Sequence, residues 1–173
     1  MLPSVRQSTQ SLWNSFEEAK KDIESIEIKK TTIDDLKKMG ISPYVTPNIR
    51  NLSYLDIIQK FMINPSITKE DLEEGVRTCF EAKGRCKGYE IQIKNINSKR
   101  YGSVFLDLFN FRRNTRTFGW DFEAVIIFVD NVVVYKLWHG SPDINEAREV
   151  KNPLGPLQDA SDIIQNMTVQ SIR

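Results

Sequence analysis

Along the first half of the chain the apolar positions recur at helical spacing. Leu12, Phe16, Ala19, Ile23 and Ile26 step by 4, 3, 4 and 3, which lays them on one stripe of a helix over 11–26, with Ser11 at its N-cap. The end of that stretch, 25–29, alternates and also fits a short strand. Thr32 with Asp35 imitates a capping box, and Gly40 stands where a glycine closing a helix belongs, so a second helix is expected over 33–39. Residues 40–51, with Pro43 and Pro47, read as a loop. Ser53 caps a third helix with Leu55, Ile58 and Phe61 or Met62 inside, ending before Asn64-Pro65. A fourth opens at Thr68 with acids in its first turn, buries Leu72, Val76, Cys79 and Phe80, and stops at Gly84.

From Gly88 the period falls to two. Tyr89, Ile91 and Ile93 alternate with Glu90, Gln92 and Lys94. The run over 103–113 is apolar on both parities and reads as a central strand, although Val104, Leu108 and Phe111 also align on a helix. Residues 122–129 and 132–138 flank Asp130-Asn131, a two-residue hairpin turn. With Val129 facing Val132 and no interruption outward, one face carries Phe122, Ala124, Ile126, Phe128, Val133, Tyr135 and Leu137, and this face is the expected core. The other pairs Val125 with Lys136 and Glu123 with Trp138. A short helix is expected from Pro142. Another, from about Pro156, has Leu157, Ala160, Ile163 or Ile164 and Met167 on its apolar side. The fold expected is therefore α+β: N-terminal helices, an antiparallel β-meander core and a C-terminal helix. Residues 1–30 form an arm or helix, and 31–173 a single core domain.

Charge changes the picture. The chain has 24 Lys and Arg against 23 Asp and Glu, a net charge of +1. Yet 83–116 holds nine basic residues and two acidic ones, leaving 15 basic against 21 acidic elsewhere. Such asymmetry speaks to partners rather than to fold. Arg112, Arg113 and Arg116 are interleaved with Phe111, Phe118 and Trp120, while Lys99-Arg100 and Arg85 with Lys87 fall in neighbouring turns. Guanidinium groups bind phosphate in a forked geometry, and nearby rings stack on bases or settle at lipid headgroups. These seven cations are the expected contacts to an anionic partner, and the three rings the expected stacking or membrane contacts. On the N-terminal stripe, Leu12, Trp13 and Phe16 are candidates for self-association, beside the plainer reading that they pack in their own core.

Little else carries chemistry. Cys79 and Cys86 are the only cysteines, too few for a disulfide framework. Cys79 reads as core and Cys86 as a turn thiol, in a reducing compartment. With His139 they give three potential ligands at unsuitable spacing, so no metal is expected. There is no nucleophile elbow, phosphate-binding glycine loop or dinucleotide fingerprint, so neither catalysis nor a cofactor is expected. An enzyme built from dispersed residues would need a concave pocket around His139 or Asp107. No apolar run is long enough to span a bilayer and the N-terminus does not read as a signal peptide, so an intracellular, non-secreted protein is expected.

Size, layout and the basic, aromatic-rich stretch over 88–140 together resemble the short matrix proteins of plant-infecting rhabdoviruses. The chain has no Pro-Pro-x-Tyr budding motif; Ser42-Pro43-Tyr44 is not one. The resemblance implies a non-enzymatic viral protein of virion and host cytoplasm. Such a protein self-associates and bridges nucleoprotein to an anionic membrane, with no small-molecule substrate. The alternative from the residues alone is a small RNA-binding or regulatory module using 83–120.

Overall fold

The computed structural model describes residues 3–8, 10–64, 66–109 and 111–152. In chain order they form β1 (Ser4–Ser8), α1 (Phe16–Ser25), α2 (Ile33–Lys38), β2 (Ile49–Leu52), α3 (Tyr54–Phe61), α4 (Glu74–Ala82), β3 (Cys86–Tyr101), α5 (Val104–Leu108), β4 (Arg112–Val129) and β5 (Val132–Lys151). Strand accounts for 44% and helix for 29% of the described residues. The strand order is β1-β3-β4-β5, with β2 also paired to β3. The expected α+β layout is thus corrected. The long antiparallel strands dominate and the helices are short. The C-terminal helix expected from Pro156 lies outside the described residues.

Two compact units share the three long strands. Among the described residues the larger takes in 8, 10–64, 66–95 and 120–142, and the smaller 3–7, 96–109, 111–119 and 143–152.

In the larger unit the sheet is covered by two apolar clusters. One gathers Trp13, Phe16, Ala19, Ile23 and Leu36 against Ile91, Phe122, Ile126 and Val133. The other gathers Ile57, Val76, Phe80 and the two cysteines against Val125, Ile127 and Tyr135. Burial on both sides explains the apolar parity of 124–128, all buried. Three of the helices begin where a hydroxyl side chain accepts a backbone N–H group. Ser15 caps α1, Thr32 with Asp35 boxes α2, and Ser53 with Asp56 boxes α3.

Several expectations fail here for physical reasons. Ile49–Leu52 is not loop; it pairs antiparallel with Gly88–Ile91, Ile49 opposite Ile91 and Leu52 opposite Gly88. Leu55 is exposed, and Ile57 fills the inner face of α3. Pro142 opens no helix but lies within β5, which continues to Lys151. The uninterrupted hairpin register is also corrected. β5 has 20 residues to the 18 of β4, and Asn152 N donates to Phe111 O at the far end, so two residues of β5 are extra. One is absorbed at Val134-Tyr135, which both lie against the α4 cluster while Val133 lies against the other. That is the signature of a β-bulge. Tyr135 therefore changes face, and Leu137 becomes exposed.

Cys79 and Cys86 form a disulfide joining α4 to the start of β3. Both are buried, and their Cα atoms lie 5.1 Å apart, within the range such a bridge needs. The free thiols expected from their number are not found, so the cysteines no longer argue for a reducing compartment. Among the described residues no helix is long and apolar enough to cross a membrane.

Candidate functional site

The smaller unit brings together most of the singled-out cations. Between its strands β3 and β4 the chain turns at Gly102, whose φ of +103° falls in the left-handed region. It then forms α5 rather than the central strand expected over 103–113. The apolar run is not buried. Val104 is 51% exposed, Phe105 64%, Phe109 43% and Phe111 40%, and the Phe105 and Phe109 rings lie 4.7 Å apart. Two exposed rings side by side form a small apolar patch at this tip. The dual-parity run is legible only as "apolar"; nothing in its residue types says that Val104, Phe105, Phe109 and Phe111 face outward.

Asp107, the one acid of α5, is buried. Arg100 Nη1 lies 3.3 Å from its Oδ2 and Arg113 Nε 3.7 Å from its Oδ1. A carboxylate between two guanidinium groups ties the short helix to β3 and β4. It also accounts for an acid inside an apolar run. Arg112 pairs with Glu149 on β5 at 2.5 Å. Lys99 Nζ stands over the Phe118 ring, 5.7 Å from its centre. Arg116 and Arg148 are exposed and make no ion pair among the described residues. Over the described part of the unit, Arg6, Lys99, Arg100, Arg112, Arg113, Arg116, Arg148 and Lys151 outnumber Asp107, Asp143, Glu146 and Glu149.

Two depressions open within this unit. One, of about 480 Å³, is lined by Arg100, Arg113, Arg148, Ser98 and Thr115 with Pro3, Val5 and Val150. The other, of about 620 Å³, is lined by Lys99, Arg100, Tyr101, Arg116, Phe118 and Ala147. Arg148 and Tyr101 were not singled out from the sequence. Arg148 lies outside the basic segment, and only the return of β5 brings it to Arg100 and Arg113.

The remaining candidates fall elsewhere. Arg85 and Lys87 belong to the larger unit, where Arg85 pairs with Asp130 at 2.9 Å. Trp120 is partly buried against the core of that unit. Trp13 and Phe16, at 5% and 7% exposure, are core residues, and Phe16 meets Phe122 edge to face at 5.5 Å. Of the proposed self-association residues only Leu12 is exposed.

The larger unit holds one more polar cluster. His139 Nε2 lies 3.5 Å from Glu123, and both line a depression of about 230 Å³ with Lys60 and Glu90. Glu90 is buried, and burial pushes its carboxyl up. The hydrogen bonds from Lys60 Nζ (2.6 Å) and Arg50 Nε (3.0 Å), with their charges, outweigh that and hold it below its ordinary value. Saturated in this way, Glu90 reads as a structural ion-pair hub.

Comparison of the chain with family models, with curated proteins and with solved structures finds no match.

Proposed function

We propose that this protein is a non-enzymatic docking and assembly protein that attaches to an anionic membrane surface through the α5 tip of its smaller unit. The observation that carries this reading is the exposed group Val104, Phe105, Phe109 and Phe111 beside Arg100, Arg112 and Arg113. Rings of this size gain roughly 1.5–3 kcal/mol each when removed from water, and each cation near an anionic leaflet adds about 1 kcal/mol. Neither contribution is enough alone. Together they give reversible, salt-sensitive attachment, the behaviour expected of a peripheral protein. Surface pairs such as Arg112–Glu149 contribute only about 0–1 kcal/mol, so headgroup phosphates can displace them.

Membrane attachment is one half of what the matrix-protein resemblance implies. For self-association, which the resemblance also implies, Trp13 and Phe16 offer no surface. A second reading has its own observation. Phe118 and Tyr101, with Lys99 and Arg116, line an open depression where single-stranded RNA can stack and neutralise its backbone.

The test is quenching of a reporter tryptophan. In a Phe105→Trp variant, bromine-labelled lipid in phosphatidylserine vesicles should quench the new emission, and single-stranded RNA should not compete. Emission indifferent to the vesicles, with displacement by RNA, would select the second reading.

A further inference from the structure

We propose that Arg100, Arg113 and Arg148, with the hydroxyls of Ser98 and Thr115, form a receptor for a single phosphoryl group. The site deepens the membrane reading where the phosphoryl belongs to a lipid headgroup, and to that extent rests on it. The recognition chemistry itself does not.

Three guanidinium groups line one depression of about 480 Å³. Asp107 is set against two of them. Asp107 faces Arg100 and Arg113, and one of its buried oxygens, Oδ1, receives no hydrogen bond. Asp107 faces two of the arginines and not Arg148, which makes no ion pair among the described residues and keeps its positive charge open to a ligand. A phosphate monoester, close to a dianion at neutral pH, presents several oxygens to forked donors of this kind. Thr115 adds a hydroxyl to the lining, and Ser98, whose Oγ lies 3.2 Å from Thr117 Oγ1, adds another. Arginine rather than lysine at all three positions favours planar, directional recognition over a diffuse charge effect.

Position gives the site a consequence. Arg100 and Arg113 hold α5 through Asp107, and α5 carries Phe105 and Phe109. A phosphoryl group bound to those arginines competes with Asp107 and loosens the hold on the aromatic tip. Headgroup recognition and tip insertion are in this way coupled through two shared side chains.

The test uses the full-length protein, a soluble headgroup (inositol 1,4,5-trisphosphate), inorganic phosphate, and two vesicle types matched in charge. One type contains phosphatidylserine, the other phosphatidylinositol 4,5-bisphosphate. Arg148→Ala removes a side chain that pairs with nothing among the described residues, so it should fold as the wild type does. It should weaken calorimetric binding of the soluble headgroup about tenfold, as expected for one charge-assisted contact. It should also abolish the preference for bisphosphate vesicles while leaving attachment to phosphatidylserine vesicles intact. Saturable binding of the trisphosphate and of inorganic phosphate, without preference among vesicles, would keep the phosphoryl site and assign it to a free ligand. Wild-type trisphosphate affinity in Arg148→Ala, or no saturable binding of either soluble probe, would overturn the proposal. A Phe105→Ala, Phe109→Ala double variant separates the two readings. It should lose both vesicle types yet keep the trisphosphate.

Discussion

Lys136 reaches from β5 to the end of α1, where its ammonium donates to the carbonyl oxygens of Ile23, Glu24 and Ile26 at 3.0, 2.6 and 2.7 Å. It thereby satisfies carbonyls that a helix end leaves open and complements the negative pole of the helix. Replacing it with Met should cost about 2–3 kcal/mol, read as a lower urea midpoint at unchanged slope. Glu90 makes a second residue-scale prediction. Its folded carboxyl lies below the ordinary 4.5, so the stability it contributes is complete above pH 4.5 and is lost as pH falls through the lower folded value. Glu90→Gln should therefore destabilise the protein at pH 7. Its unfolding curve should rejoin that of the wild type at the acid end of a pH series.

At the scale of the element, the disulfide between α4 and β3 closes a short loop. Loop entropy assigns it about 2 kcal/mol, so full reduction should lower the melting temperature by roughly 4–8 °C. The same value after treatment with strong reductant would mean that the bridge is absent from the protein in solution. The α5 tip predicts the opposite behaviour. Because Phe105 is exposed, Phe105→Ala should change stability by less than about 0.5 kcal/mol; a larger loss in thermal unfolding would place the ring in a core.

These elements also show which parts of the fold the residues disclose. Thr32 with Asp35 and Ser53 with Asp56 disclose helix starts, because capping is local chemistry. The Asp130-Asn131 turn is disclosed for the same reason. The bulge at Val134-Tyr135 is not, since pairing outward from a turn assumes equal strand lengths, and the two extra residues are recognised only when both strands are seen. The run over 103–113 misleads because apolar content implies burial only where there is a core to receive it. The 4-3-4-3 stripe holds only in its middle: α1 starts at Phe16 under the Ser15 cap and not at Ser11, so Phe16, Ala19 and Ile23 form its inward face while Leu12 precedes the helix and is exposed.

For the molecule as a whole, the near-zero net charge conceals a smaller unit whose described residues carry eight basic and four acidic side chains. Five of the seven cations picked from the sequence gather there, because the β3–α5–β4 hairpin folds the basic segment back on itself. Arg85 and Lys87 do not join them, and Arg148 is recruited from beyond the segment. Attachment driven by this unit should weaken steeply with salt, because screening over a Debye length removes the contribution of the cations and leaves that of the rings.

Flotation of the full-length protein with phosphatidylserine vesicles tests the central claim most directly. The wild type should float at low salt and be released as salt rises. The Phe105→Ala, Phe109→Ala double variant, folded and equally stable, should remain at the bottom of the gradient. Flotation of that variant to the wild-type extent would contradict membrane docking through the α5 tip.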